Sequence, residues 1–156
     1  MTPEELIAEH GLVPLEFEGG RFRRTWAGPP DAAGRPAGTA IVMLLTAEPG
    51  DFSALHRLPI DEVWHFYRGD ALELLLLHPD GSDEVRVLGP GDGEFQTVVP
   101  AGTWMGARVR DGGAWALFGT TMAPGFMDED FEGGDADALA AAYPRQATRI
   151  RELCRD

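Results

Sequence analysis

The chain has 156 residues, the length of one domain that can bury a full apolar core. Its formal net charge of -13 at pH 7 has the opposite sign to a nucleic-acid-binding surface. No apolar run reaches the ~18 residues of a membrane span, and the acidic N-terminus is unlike a signal peptide, so we expect a cytoplasmic protein without a membrane or nucleic-acid partner.

Several residue types that carry chemistry are missing or badly placed. The absence of lysine and asparagine excludes a Schiff-base lysine, a phosphate-loop lysine and an asparagine oxyanion donor. The single cysteine, Cys154, lies near the C-terminus and is a poor candidate nucleophile. Neither Ser53 nor Ser82 lies in a Gly-x-Ser-x-Gly elbow. Proton transfer therefore falls to histidines, carboxylates and two tyrosines.

The predicted elements begin with a short helix, which starts at a capping box on Thr2 and ends at His10-Gly11. From residue 12 to 122 the chain has short strands separated by turn signals, without intervening helices. The predicted strands are 18–26, 39–46, 63–67, 72–77, 84–88, 96–99, 105–110 and 115–122. This pattern predicts an all-β sandwich or barrel. We expect one domain over 1–156, with a core of about 12–125. An acidic segment and helices interrupted at Tyr143-Pro144 then occupy 126–156.

The stretch from Gly50 to Gly69 holds the strongest candidates for chemistry. His56 is a candidate general base, because imidazole titrates near working pH and the carboxylate of Glu62 can orient it and stabilise its protonated form. The alternative is a structural pair, in which a core histidine is hydrogen-bonded to a buried carboxylate. Strand alternation places Glu62 on one face and His65 on the other, so only a bulge would bring His65 into the same pocket.

This stretch resembles the first motif of the cupin superfamily, which contains Gly, His-x-His, Glu and Gly, with matches at Gly50, His56, Glu62 and Gly69. Leu58 stands in the place of the second histidine. In the second motif, which is similar to Pro100-Ala-Gly-Thr-Trp-Met105, Met105 replaces the histidine.

The chain is also similar to one subgroup, the fifth cupin family, a domain of unknown function. The matching segments are Gly19–Arg23, Asp51–Arg57, Asp61–Phe66, Pro100–Trp104 and Ala123–Phe131. The resemblance implies a double-stranded β-helix, or jelly roll, that forms a homodimer.

The resemblance implies a metal site of three histidines and a carboxylate, which this chain does not reproduce. Leu58 cannot ligate a metal, and the soft thioether of Met105 suits Cu(I) better than Fe or Mn. We therefore expect no cofactor. The alternative is a divalent transition metal at His56 and Glu62 with an unexpected third ligand.

The chain further resembles metal-free cupin epimerases of nucleotide-linked deoxysugars, whose base is a histidine at the position of His56. Arg23 is placed like an arginine that binds the anionic end of their substrates, for which a planar guanidinium is suited. Neither Tyr67 nor Tyr143 aligns with their tyrosine acid. The resemblance implies a metal-independent isomerase, epimerase or dehydratase acting on a polar or anionic small molecule, such as a sugar nucleotide or a secondary-metabolite intermediate.

In this hypothesis His56 is the base and Glu62 is its partner or proton relay. The residues expected to bind the substrate or line the pocket are Arg21, Arg23, Trp64, His65, Phe66, Trp104 and Met105. Two alternatives remain open. The first is a cupin that binds a metabolite without turning it over, and the second is a metal-dependent cupin enzyme.

Overall fold

Two antiparallel sheets dominate the computed structural model, which describes residues 1–155. The strands are β1 (Val13–Pro14), β2 (Arg21–Ala27), β3 (Thr39–Thr46), β4 (Ser53–Arg57), β5 (Glu62–Gly69), β6 (Leu72–Leu77), β7 (Asp83–Leu88), β8 (Gln96–Val99), β9 (Trp104–Val109), β10 (Trp115–Met122) and β11 (Glu132–Gly133). One sheet has the order β1-β2-β3-β10-β5-β8, and the other has the order β11-β4-β9-β6-β7. The non-consecutive neighbours are those of strands that cross between two facing sheets.

Short helices stand at both ends of the chain, as predicted. The helices are α1 (Pro3–His10), α2 (Ala136–Ala142) and α3 (Ala147–Glu152), with a 3-10 turn at Pro144–Gln146. The predicted capping box of α1 is present between Thr2 and Glu5, and Gly11 ends the helix in the left-handed conformation. None of the helices within residues 1–155 combines the length and apolarity needed to cross a membrane.

The main core lies between the two sheets. Its largest buried members come from alternate positions of strands β3, β5, β6, β9 and β10, and they include Met43, Leu45, Trp64, Leu74, Leu76 and Phe118. A second cluster packs α2 and α3 on the outer face of the five-stranded sheet, and a third packs α1 on the outer face of the other sheet. Each sheet is therefore covered on both faces over part of its area.

The strand predictions agree closely with the structure. The bounds of β3, β6, β8 and β10 are those predicted from the sequence. Strands β1 and β11 were not predicted, since two residues are too few to show an alternating pattern. Strand β4, which carries His56, was not predicted either, because its first four residues are all buried and show no alternation. The mostly-β architecture with helices at its ends confirms the predicted fold class.

Candidate functional site

A cavity of about 1400 Å³ opens at one end of the space between the sheets. Its apolar lining includes Leu15, Phe22, Ile41, Leu58, Met122, Phe126 and Phe131. Its polar lining includes Glu18, His56, Glu62 and Thr120. The cavity therefore brings together the predicted His56 and Glu62, in a lining that differs from the one predicted for it.

A break in strand pairing turns His56 into the cavity. Ser53 pairs with Ala107 and His56 pairs with Met105, so three steps along β4 oppose two steps along β9. The extra residue is a bulge, which re-aims side chains relative to simple alternation. Because Ala107 and Met105 both belong to the core between the sheets, Ser53 and His56 both face inward.

The backbone at this bulge also defines the chemistry of the His56 ring. Nδ1 lies 2.7 Å from the carbonyl oxygen of Ala54, which can only accept, so Nδ1 carries a proton. Nε2 is therefore the nitrogen that gains or loses a proton. The ring is almost fully buried, and it stacks on Phe131 with centroids 5.2 Å apart and planes inclined by 14°.

The carboxylate that meets His56 is Glu18, which the sequence analysis did not select. Glu18 Oε1 lies 3.5 Å from His56 Nε2, and Glu18 Oε2 accepts a 2.9 Å hydrogen bond from Ser53 Oγ. The backbone of Glu18 is fixed as well, because its carbonyl accepts from Ala54 N at 2.7 Å. Ser53 thus holds one oxygen of the carboxylate by a hydrogen bond, and the other oxygen faces His56 Nε2.

Glu18 reaches this position from a tight turn between β1 and β2. Phe17 and Gly19 both have positive φ, of 68° and 105°. A β-carbon at Gly19 would collide with the carbonyl oxygen of Phe52, so only glycine fits there. A bulky residue such as Phe17 adopts this conformation at a cost, and such strain concentrates at functional sites. Phe17 is 80% exposed at the border of the cavity.

Glu62 is the buried carboxyl of the site. Burial raises its pKa from 4.5 to about 7; the Glu18 carboxylate adds to the rise, whereas the nearby His56 opposes it. Near neutral pH a substantial fraction of Glu62 is therefore protonated and can donate a proton. No ion pair joins Glu62 to His56 within residues 1–155, so the predicted direct pairing of these two side chains is corrected to a pairing of His56 with Glu18.

Trp64 carries an unpaired buried donor beside this carboxyl. Its side chain is 1% exposed and stacks on Phe118, with centroids 5.2 Å apart. Its indole Nε1–H has no hydrogen-bond partner in the described part of the chain, although it lies close enough to Glu62 to oppose the rise in that carboxyl's pKa. Trp64 was predicted to line the pocket; it instead lies behind Glu62 in the core.

The acidic segment after β10 covers one side of the cavity. β11 pairs with β4, so that Gly133 lies opposite His56 and Glu132 lies opposite Arg57. Phe126 and Phe131 contribute the aromatic lining on this side. The segment is fastened by Arg35, whose guanidinium donates two hydrogen bonds to the carboxylate of Asp130, at 2.7 and 2.9 Å.

Two arginines of β2 border the cavity, the predicted Arg23 and its neighbour Arg24, whereas the predicted Arg21 does not. Arg24 pairs with Ile41 and shares the inner face of β2 with Phe22, as alternation requires. Arg21 and Arg23 lie on the outer face, and the Arg23 side chain lies beside Gly11, at the cavity border. Arg24 forms no ion pair with any residue from 1 to 155.

Three further predicted lining residues do not border the cavity. Trp104 lies on the outer face of its sheet, below the guanidinium of Arg57 and against the C-terminal helices. Met105 faces inward but is buried in the core, 1% exposed. Phe66 packs against the same core and against Phe95. Met105 and Phe66 thus pack with the core between the sheets, and Trp104 packs on the outside of its sheet.

His65 points away from the cavity, as alternation predicted, so its proposed role in binding the substrate is corrected. Its ring contacts Thr121 Oγ1 through Nε2 at 2.9 Å and the side-chain amide of Gln96 through Nδ1 at 3.1 Å. These contacts lie on the outer face of the six-stranded sheet. The β5 irregularity lies further along the strand, near Leu117 and Phe118 of its partner, and does not rotate His65 inward.

The donor set does not fit a cupin metal centre. In the described residues, no three His, Cys, Asp or Glu side chains are arranged to hold a metal ion. The positions where the resemblance implies further histidines carry the buried side chains of Leu58 and Met105. The carboxylate of Glu18 lies beside His56, but in the described residues it does not complete a metal-binding group with His56 and Glu62.

Comparisons with known proteins agree with the fold. The sequence profile of the family described as cupin superfamily (DUF985) matches residues 4–133. No curated protein matches the chain. A structure from Shewanella oneidensis has a TM-score of 0.89 at 28% identity, covering 99% of this chain and 98% of that one. A hypothetical protein from Leishmania major has a TM-score of 0.87 at 28% identity, covering 100% of this chain and 100% of that one. A cupin 2 domain-containing protein from Halorhodospira halophila has a TM-score of 0.61 at 22% identity, covering 88% of this chain and 86% of that one. These neighbours confirm the predicted jelly roll.

Proposed function

Since the chain belongs to the DUF985 family of the cupin superfamily, we propose that it is a small-molecule-binding cupin that works as a metal-independent acid–base enzyme. The reaction is an isomerisation, epimerisation or dehydration that begins with removal of a proton next to a carbonyl. The observation that carries the proposal is the His56 ring, whose protonated Nδ1 is held by the Ala54 carbonyl and whose basic Nε2 remains for proton transfer.

Two groups of the cavity supply the other requirements of this chemistry. Glu62, with a pKa of about 7, is a proton donor at working pH, which replaces the tyrosine acid of the epimerases. Arg24 offers an unpaired cation on the inner face of β2 for a phosphate or carboxylate of the substrate. The apolar lining excludes water from the rest of the ligand.

The donor set supports acid–base chemistry over the metal-dependent alternative. A binding protein without turnover would use the same cavity, so the deciding test must follow bond breaking. Catalysis by His56 requires that a carbon-bound hydrogen of the substrate exchanges with solvent or moves to another carbon.

The experiment screens sugar nucleotides and small keto and hydroxy acids by proton NMR in D2O, with a metal chelator present. The expected result is loss of one carbon-bound proton signal with the wild type and none with His56→Gln. The matched control is Glu132→Gln, an exposed carboxylate paired with Arg57 outside the proton-transfer groups, which should keep wild-type activity. Binding of a compound by both the wild type and His56→Gln, with no exchange in either protein, would support the non-catalytic alternative.

A further inference from the structure

The ring of His56 borders the cavity but is almost fully buried. His56 has 2% of its side-chain surface exposed, whereas Glu18 has 14%. A proton that the ring removes from a substrate must be returned to that substrate or passed to a group that reaches solvent. Glu18 is the carboxylate that lies beside His56 in the described chain, with Oε1 3.5 Å from Nε2.

The position of the Glu18 carboxylate is fixed by contacts to its side chain and its backbone. Ser53 donates to Oε2, the Glu18 carbonyl accepts from Ala54, and the positive φ at Gly19 sets the turn behind it. The bulge in β4 turns both Ser53 and His56 inward, so that Ser53 contacts Oε2 and His56 faces Oε1. Oε1 therefore faces Nε2 at 3.5 Å, just beyond hydrogen-bond distance, a gap that often closes in a catalytic complex.

We infer that Glu18 is the proton relay of the site, through which His56 Nε2 exchanges protons with solvent. The inference deepens the proposed function, on which it rests, by assigning the route that the abstracted proton takes. It also separates the two carboxyl groups by role. Glu18 serves the base, and Glu62 on the strand across the cavity remains as the independent acid.

The proposed step conserves protons and charge. His56 Nε2 takes a proton from a carbon of the substrate, and the electron pair of the broken C–H bond stays on the substrate. The imidazolium, which carries protons on both nitrogens, gives the Nε2 proton to the Glu18 carboxylate. Neutral Glu18 then loses that proton to water, and both groups return to their starting states.

The test uses the ligand-free protein labelled with [15N]histidine, at a pH where the His56 ring carries both protons. NMR measures the rate at which the Nε2 proton exchanges with water, and the spectrum of His56→Gln assigns the signal. Since a positioned acid or base accelerates proton transfer by ~10²–10⁴, Glu18→Gln should slow this exchange at least about tenfold. Ser53→Ala, which frees the relay carboxylate, should slow it by a smaller factor.

The matched control is Glu16→Gln, which removes the same charge two residues away at the cavity border without a contact to His56. This variant should exchange at the wild-type rate. An unchanged rate in Glu18→Gln would overturn the inference, because it would mean that water reaches Nε2 directly. If Glu18→Gln does not fold, Glu18→Asp replaces it: the shorter acid should slow exchange, and a wild-type rate would overturn the relay.

This readout is independent of turnover. Slow exchange in Glu18→Gln, together with no reaction of any screened compound, would sustain the relay and contradict the proposed enzyme. Fast exchange in Glu18→Gln, together with turnover that needs His56, would sustain the enzyme and contradict the relay.

Discussion

The two ends of the space between the sheets differ, because one is closed by packed side chains and the other opens as the cavity. At one end the inward positions are apolar and fully buried, as at Leu72, Leu74, Ala116 and Phe118. At the other end His56, Glu62 and Thr120 face a cavity that segments outside the main strands complete. The closed end follows from strand alternation alone, while the open end depends on a bulge, a tight turn and the acidic segment. The polar chemistry of this molecule therefore sits where irregular backbone enters the fold.

The largest expected effect is a loss of stability from a substitution in the closed end. Phe118→Ala removes a fully buried ring that stacks on Trp64, and it should lower the free energy of unfolding by about 3–5 kcal/mol. Urea unfolding measures this loss. Phe95→Ala, at a ring that is 66% exposed, should have a far smaller effect. A loss for Phe118→Ala no larger than that for Phe95→Ala would show that the closed end is loosely packed.

The next effect is a pH dependence of stability that comes from Glu62 at the open end. Because burial raises the pKa of Glu62 to about 7, the folded protein gains stability from its protonation at low pH. This gain is full below about 4.5, the ordinary value, and is lost as pH rises through about 7. Glu62→Gln mimics the neutral acid and does not titrate. The free energy of unfolding of this variant, minus that of the wild type, should therefore increase by about 3 kcal/mol as pH rises from below about 4.5 to above about 7. Urea midpoints across pH measure the difference, and a pH-independent difference would contradict the raised pKa.

A smaller effect tests the coupling among the three polar groups. The Trp64 indole N–H signal should shift with a midpoint near pH 7 as Glu62 titrates, and this shift should vanish in Glu62→Gln. Since the Glu18 carboxylate raises the pKa of Glu62 and His56 lowers it, Glu18→Gln should move the midpoint down and His56→Gln should move it up. Shifts in the opposite directions would refute the arrangement of charges.

The smallest effect concerns the cover of the cavity. Arg35→Gln removes the two hydrogen bonds to Asp130 while β11 still pairs with β4. Hydrogen exchange should therefore become faster at the amides of Met127 and Gly134, and it should stay unchanged at the amides of β6. Arg110→Gln, which breaks a surface pair with Asp92 away from the cavity, is the control. Equal protection of Met127 in both variants would mean that the segment does not depend on Arg35.

The sequence predicted the regular parts of this molecule well, because strand and turn signals are local. The alternation of β5 correctly separated Glu62 from His65, and the same alternation along β2 places Arg24 on the face of Phe22. Arg23 was selected from the resemblance to the epimerases, and it borders the cavity from the outer face of β2. Arg24, on the inner face with Phe22, was not selected.

The parts that the sequence could not supply depend on contacts between distant segments. Glu18 meets His56 through Ser53 and a bulge, neither of which leaves a periodic signal. The pair Gly19-Gly20 after Glu18 was the one local hint of unusual backbone. Phe131 reaches His56 because β11 pairs with β4, and two residues of strand cannot be read from a sequence. Trp104 faces outward, where the C-terminal helices cover it.

The most direct test of the central claim, metal-independent acid–base chemistry at His56, is a crystal structure soaked with sugar nucleotides and small acids, with an anomalous scan for transition metals. The predicted result is ligand density against His56 Nε2, an anionic group at Arg24, and no anomalous peak between His56 and Glu62. A strong anomalous peak bonded to both side chains would contradict the claim and assign the site to metal chemistry.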